Sequence, residues 1–208
     1  CNNTIGNCSF IGNGMCNQAQ DRYDTVINGC CNSSIGRYSI VANGFCNTST
    51  GYYSFIGSGN RNLSCRNHST IINGSFNVSL DDYSTIINGL CNITCGCQST
   101  IINGSNNTIS NYLGNSVTVS GYYNTISGRN ASIINGAYNN ATGRWSLIGG
   151  GAFNTASGYS NSLVINGFCN TTSGNYSLIG NGCRNTNCGD YSLIGNGKLN
   201  TISGCYNF

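Results

Sequence analysis

Apolar residues along this chain do not recur at a helical period. They fall in short alternating runs of the form Ser-x-Ile-x-Asn-Gly, as in Ser69–Gly74 (STIING), each followed by a polar stretch with a fixed Asn, a small residue, a Gly and an aromatic ring. Alternation over so few positions predicts a half-buried β-strand, and two glycines per unit argue against helix. The cleanest copy is Ser192–Tyr206, SLIGNGKLNTISGCY. With its first glycine as a marker, copies fall at Gly14, Gly29, Gly44, Gly59, Gly74, Gly89, Gly104, Gly121, Gly136, Gly151, Gly167, Gly182 and Gly197. Ten of the twelve intervals are fifteen residues; the others are seventeen (Gly104 to Gly121) and sixteen (Gly151 to Gly167).

Fifteen residues cannot close a hydrophobic core, so each unit must bury its apolar face against its neighbours. The expected fold is all-β: a parallel β-solenoid (β-roll or β-helix) of about fourteen 15-residue coils forming a single repeat domain over residues 1–208. At roughly 4.8 Å per coil, the expected rod is on the order of 65 Å long.

Five columns define each coil. Three residues before the marker stands a β-branched ladder, Ile11, Val26, Val41, Ile56, Ile71, Ile86, Ile101, Thr118, Ile133, Ile148, Val164, Ile179 and Ile194, as a narrow stacked core requires. Two residues earlier stands Ser, with Asp24 and Ala131 as exceptions, and alternation puts it on the same face. Three residues after the marker every copy holds Asn, from Asn17 to Asn200, where carboxamides are expected to bond turn backbone or stack coil on coil. Four residues on, nine Gly with Asp21, Asp81, Asn111 and Arg66 suggest a left-handed corner, Arg66 being the misfit. The column before the strand holds Tyr23, Tyr38, Tyr53, His68, Tyr83, Trp145, Tyr176, Tyr191 and Tyr206. It reads as a stacked aromatic spine, or as a carbohydrate-binding stripe, with His68 as a substituted rung.

Composition narrows the function. Only 6% of residues are charged, there is no proline, and Lys198 is the one lysine. A net charge of +3, scattered along the chain, excludes a nucleic-acid footprint. No run of eighteen apolar residues exists, so no membrane insertion is expected. The chain begins at Cys1 without a basic and apolar leader, as expected after signal-peptide removal or for a fragment. Its acids are Asp21, Asp24, Asp81, Asp82 and Asp190, with one histidine and no acid-base pair, so neither enzymatic activity nor a cofactor is expected.

The spaced Ser, Ile, Gly, Asn and Gly positions, above all in Gly136–Gly158 (GAYNNATGRWSLIGGGAFNTASG), resemble the head repeats of YadA-type trimeric adhesins and related phage and viral fibre proteins. That resemblance covers the whole chain. It implies a left-handed parallel β-roll, usually trimeric, in a surface-exposed fibre that binds or spaces.

Fourteen cysteines, Cys1, Cys8, Cys16, Cys30, Cys31, Cys46, Cys65, Cys91, Cys95, Cys97, Cys169, Cys183, Cys188 and Cys205, point to an oxidising, extracellular route and to disulfides. Cys1, Cys16, Cys31 and Cys46 share a column that continues at Cys91 and Cys169, and neighbouring coils lie within disulfide reach. Cys30 and Cys183 sit one position earlier, and Cys65, Cys95 and Cys188 share another column. Connectivity stays open, and the tight Cys95-Gly96-Cys97 spacing is a poor zinc site. Of fifteen Asn-x-Ser/Thr sequons, six belong to the fixed Asn column. Asn7, Asn67, Asn130, Asn140 and Asn175 are the better candidates for N-linked glycans.

The sequence starts and stops in mid-coil, at Cys1 and Phe208, without polar capping coils. Exposed strand edges of that kind would stack on another copy, giving a head-to-tail filament locked by Cys1, Cys8 or Cys205. The expected function is a structural subunit of an extracellular fibre, secreted or on a cell or virion surface, partnered by itself head-to-tail or as a trimer. The alternatives are an adhesin head that binds glycans or a host surface, and an ice-binding protein using Thr25, Thr70, Thr85 and Thr100.

Overall fold

The computed structural model describes residues 1–111 and 114–207; Phe208, the expected mid-coil end, lies outside them. The chain is a parallel β-solenoid of about thirteen turns, with no helix among the described residues. It divides into two compact units, Cys1–Ser105 and Asn106–Phe208.

In the first unit each coil gives one two-residue strand to each of two parallel sheets. The second sheet, from Phe10–Ile11 to Thr100–Ile101, holds the expected strand: Thr70 pairs with Thr85 and Ile71 with Ile86. The first sheet, from Asn3–Thr4 to Ile93–Thr94, is built from the stretch after the fixed Asn, where the sequence showed only a polar segment. Val78 pairs there with Ile93, and Ser79 with Thr94.

The second unit repeats both sheets and absorbs its odd intervals without losing register. Thr108 pairs with Thr125 across the seventeen-residue coil, and Leu147 with Leu163 across the sixteen-residue one. In the latter, Tyr159 stands 82% exposed while Thr155 still meets Thr171. The additional residue is accommodated between strands.

Each coil is narrow, so its interior takes small and β-branched residues. From Val26 to Ile179 the ladder is wholly buried, including Val41, Ile56, Ile71, Ile86, Ile101, Ile133, Ile148 and Val164; Ile194 is 5% exposed and Ile11 is half-buried. Opposite it lie small residues of the first sheet, and in the first unit serine hydroxyls pair across the coil, Ser49 to Ser54 and Ser64 to Ser69 at 2.5 Å. Ile126 in the second unit is followed, five residues on, by Ala131 in the serine column, so a large side chain and a small one exchange volume. Thr118 is the ladder's one hydroxyl, and its Oγ1 is buried without a partner.

The fixed asparagines from Asn17 to Asn185 are at most 1% exposed. Asn32 shows their use. Its Oδ1 accepts from the Asn47 backbone N–H at 3.0 Å, and its Nδ2 donates to the Gly44 carbonyl of the next coil at 2.9 Å and to the Asn28 carbonyl of its own at 3.1 Å. The same three bonds recur at Asn62, Asn139 and Asn170. One side chain thus bonds the turn backbone and links successive coils.

The expected left-handed corner is displaced. Gly36, Gly51, Gly128 and their equivalents do not have positive φ; the left-handed positions are the marker glycines, the residue two after each, and the aromatic column. Glycine is favoured at Gly51 because a Cβ there would overlap the Arg66 carbonyl of the next coil, so close approach selects it rather than backbone twist. The marker does need φ > 0: Gly29 has φ 108°, and a Cβ would strike the Gly44 carbonyl and the Asn32 carboxamide. Non-glycine residues take the other two positions, as with Tyr38 at φ 61° and Cys31 at φ 57°. Left-handed backbone costs roughly 1–2 kcal/mol per residue, which the coil-to-coil bonds must offset.

Replacing Asn77 by Ala would remove the acceptor of the Asn92 N–H and one of the two donors to the Gly89 carbonyl, which keeps only the Ser75 N–H. We expect a loss of about 3 kcal/mol or more, seen as a lower melting temperature and faster amide exchange in the coils on either side.

Candidate functional site

The aromatic column is a stack. Tyr23, Tyr38, Tyr53, His68 and Tyr83 lie ring on ring, with centroids 4.7–5.2 Å apart and planes within 14°. Tyr176, Tyr191 and Tyr206 continue the motif at 5.0 and 5.3 Å. His68 is a rung, as its column position implied. Within each stack one ring packs on the next, as a stiffening spine requires, whereas Trp145 is 47% exposed with Arg144 over its ring. A second stack, Tyr123, Tyr138 and Phe153, escaped the sequence reading. It occupies the column that carries cysteines elsewhere, and reading that column through all thirteen copies would have found it.

All fourteen cysteines are thiols in this structure. The backbone aligns Cys16, Cys31 and Cys46 in successive coils, the Cys31 N–H bonding the Met15 carbonyl and the Cys46 N–H the Cys30 carbonyl, each at 2.9 Å. Cys30 Sγ lies 3.5 Å from Cys31 Sγ, and the Cys1 amino group 3.8 Å from Cys16 Sγ. Cys65 and Cys95 share a column but stand two coils apart with Leu80 between them, and Cys91 and Cys169 have no cysteine beside them in theirs. Cys97 Sγ donates to Asp81 Oδ1 at 3.2 Å, a bond that together with burial pushes the Cys97 thiol up, while burial raises Cys95. Among the described residues no group of three or more His, Cys, Asp or Glu is placed to hold a metal ion.

The expected glycan acceptors differ in access. Asn7 and Asn67 are exposed, while Asn130, Asn140 and Asn175 are half-buried. Asn67, Asn130 and Asn175 use Oδ1 to accept from the backbone of Tyr52, Asn115 and Ser160, leaving Nδ2, the glycan-bearing atom, uncommitted. Asn140 stands in the first sheet, in register with Thr125 and Thr155, with its Oδ1 buried and unpartnered. The six sequons in the ladder, Asn32, Asn47, Asn62, Asn77, Asn92 and Asn170, are closed to modification in the folded chain because their carboxamides are buried and bonded. Asn73 and Asn103, followed by Gly-Ser, are exposed sequons that the sequence reading passed over.

The longest threonine row lies on the other sheet from the one first considered. Thr125, Thr155, Thr171, Thr186 and Thr201 face outward on the first sheet of the second unit, interrupted by Asn140, with Ser127, Thr142, Ser157 and Ser173 two residues on.

Among the described residues Asp24 carries the one wholly buried carboxyl. Its Oδ2 accepts from the Asp21 N–H at 2.7 Å, and its Oδ1 from the Ser39 N–H and hydroxyl, both at 3.2 Å. Burial outweighs these bonds and raises its pKa above the ordinary 3.8. A raised folded-state value means that the ionised form costs stability, so stability rises as pH falls through that value and the gain is complete below 3.8. Asp24→Ser, which restores the residue of the other coils, should raise the melting temperature at neutral pH by roughly 2–4 °C. Melting curves in acid should show this advantage vanishing.

No protein-family model and no curated protein matches the chain. What the architecture carries by itself is a β-solenoid fold, consistent with a structural repeat protein.

Proposed function

We propose that the chain is a structural module of an extracellular or surface fibre: secreted, N-glycosylated, cross-linked by disulfides and associated with copies of itself. The observation that carries this reading is the sameness of the backbone ladder. Ile72 bonds Ile86, Ile87 bonds Ile101 and Ile165 bonds Ile179, each N–H to carbonyl at 2.9 Å, so one coil offers what the next one offers. A coil edge of this kind accepts the coil of another copy as readily as its own neighbour, which supports head-to-tail stacking.

Lateral association, as in a trimer, is supported by the outer face of the second sheet. In the first unit Phe10 and Phe55 share one outward column and Ile27 and Ile72 another; in the second, Leu163 and Leu178 share one and Ile134 and Ile165 another, and no charged residue interrupts any of them. Uncharged apolar faces of this type mark association surfaces. Glycans at Asn7, Asn67, Asn130 and Asn175 would solubilise a surface poor in charge, and disulfides would run within the Cys1, Cys16, Cys31 and Cys46 column and its neighbour Cys30. Catalysis, a cofactor, nucleic acid and membrane insertion have no part in this reading; no helix among the described residues is long and apolar enough to cross a membrane. Ice binding is the second reading, favoured by the outward threonine row of the second unit.

Electron cryo-microscopy of native material tests the proposal. Continuous filaments with density extending from Asn7 and Asn67 are the expected result. Capped monomers at high concentration would refute it, discrete trimers with a free tip would favour an adhesin head, and thermal hysteresis of the solution would favour ice binding.

A further inference from the structure

The residue before each marker glycine is Asn in ten of the thirteen copies: Asn13, Asn28, Asn43, Asn73, Asn88, Asn103, Asn135, Asn166, Asn181 and Asn196. All ten are exposed, unlike the buried ladder four residues later. We propose that this Asn-Gly column is a row of self-modifying sites, at which the glycine nitrogen attacks the preceding carboxamide and converts neutral Asn to Asp and isoaspartate in the folded chain.

Four features of the corner converge on this chemistry. Positive φ and the close approach of the next coil require glycine at the marker, and glycine leaves its amide nitrogen unshielded by a Cβ. That nitrogen has no partner in the neighbouring coil. The Asn13 N–H bonds the Ile27 carbonyl and the Met15 N–H bonds the Gly29 carbonyl, both at 3.0 Å, while Gly14 between them donates to nothing among the described residues. In two copies the glycine N–H donates to the Oδ1 of the preceding Asn, Gly136 to Asn135 at 2.7 Å and Gly167 to Asn166 at 2.8 Å, which holds that carboxamide folded back beside the nitrogen that would attack it.

The fourth feature is electronic. The carbonyl of the attacking peptide accepts from a ladder carboxamide, Asn17 Nδ2 to the Asn13 oxygen at 3.0 Å and Asn32 Nδ2 to the Asn28 oxygen at 3.1 Å. A donor on that oxygen stabilises the deprotonated amide, the nucleophilic form. The buried ladder thereby activates the exposed column.

The step balances without a cofactor or redox partner. Hydroxide removes the glycine amide proton, the nitrogen bonds to the Asn Cγ, and the Cγ–Nδ2 bond breaks to release ammonia and leave a five-membered imide. Water then reopens the ring, giving Asp by attack at Cγ and isoaspartate by attack at the main-chain carbonyl. Each event lowers the net charge of +3 by one, so four events make the chain anionic. Successive carboxylates would stand roughly 4.8 Å apart along the corner. Ser58, Ser120 and Gly150 occupy the position in the remaining copies, so the fold itself does not demand Asn there.

The test is to incubate the full-length chain, folded and urea-unfolded in parallel, in mildly alkaline buffer, with peptide mapping that separates Asp from isoaspartate. In the folded chain, conversion should proceed at most or all of the ten positions and at least roughly ten-fold more slowly at the buried ladder asparagines. Isoelectric focusing should show progressively acidic species, and Asn28→Ser with Asn43→Ser should remove two of those steps. If the ten positions stay intact in the folded chain over the time in which the unfolded chain converts, or if fewer than half convert, the proposal fails.

Discussion

The fold depends on a carboxamide sealed inside each turn of the chain. A β-solenoid coil must leave one strand and enter the next around corners, where backbone groups fall out of sheet register and would otherwise be buried without partners. The ladder asparagine meets that need with one acceptor and two donors, reaching the backbone N–H and glycine carbonyl of the next coil and a carbonyl of its own. Aspartate lacks the donors and leucine lacks both functions, so few residues could stand here.

Much of this was legible in the sequence. The period, the parallel stacking and the Val and Ile ladder follow from spacing alone, because a fifteen-residue unit has nowhere else to bury Ile71 or Ile86. The fixed Asn announced a structural task, though not which atoms it joins. The first-sheet strands were missed because Ser34, Ser49 and Ser64 are buried as hydroxyls, and the interior of so narrow a coil does not look hydrophobic. The corner glycines were assigned to backbone twist because glycine answers two demands, positive φ and close approach, that composition cannot separate.

The candidate sites were less readable. Column membership placed His68 correctly among the rings, yet only coordinates show how one ring packs on the next. Sequons were visible as text, but whether Asn77 or Asn67 can be reached depends on burial and on which carboxamide atom is committed. The cysteine column was apparent, whereas the separation of Cys65 from Cys95 by Leu80 mattered only once coils were stacked.

Tyr159 has a consequence for how such a chain can vary. An added residue there projects into solvent, while Thr155 and Thr171, and Leu147 and Leu163, keep their pairings across the coil. Length at that corner is thus decoupled from the ladder, because the bonds that fix register belong to the strands and the asparagine. Segments of other lengths could be grafted at the same corner of successive coils and displayed at a regular pitch, which makes that edge the natural place for new specificity to be written.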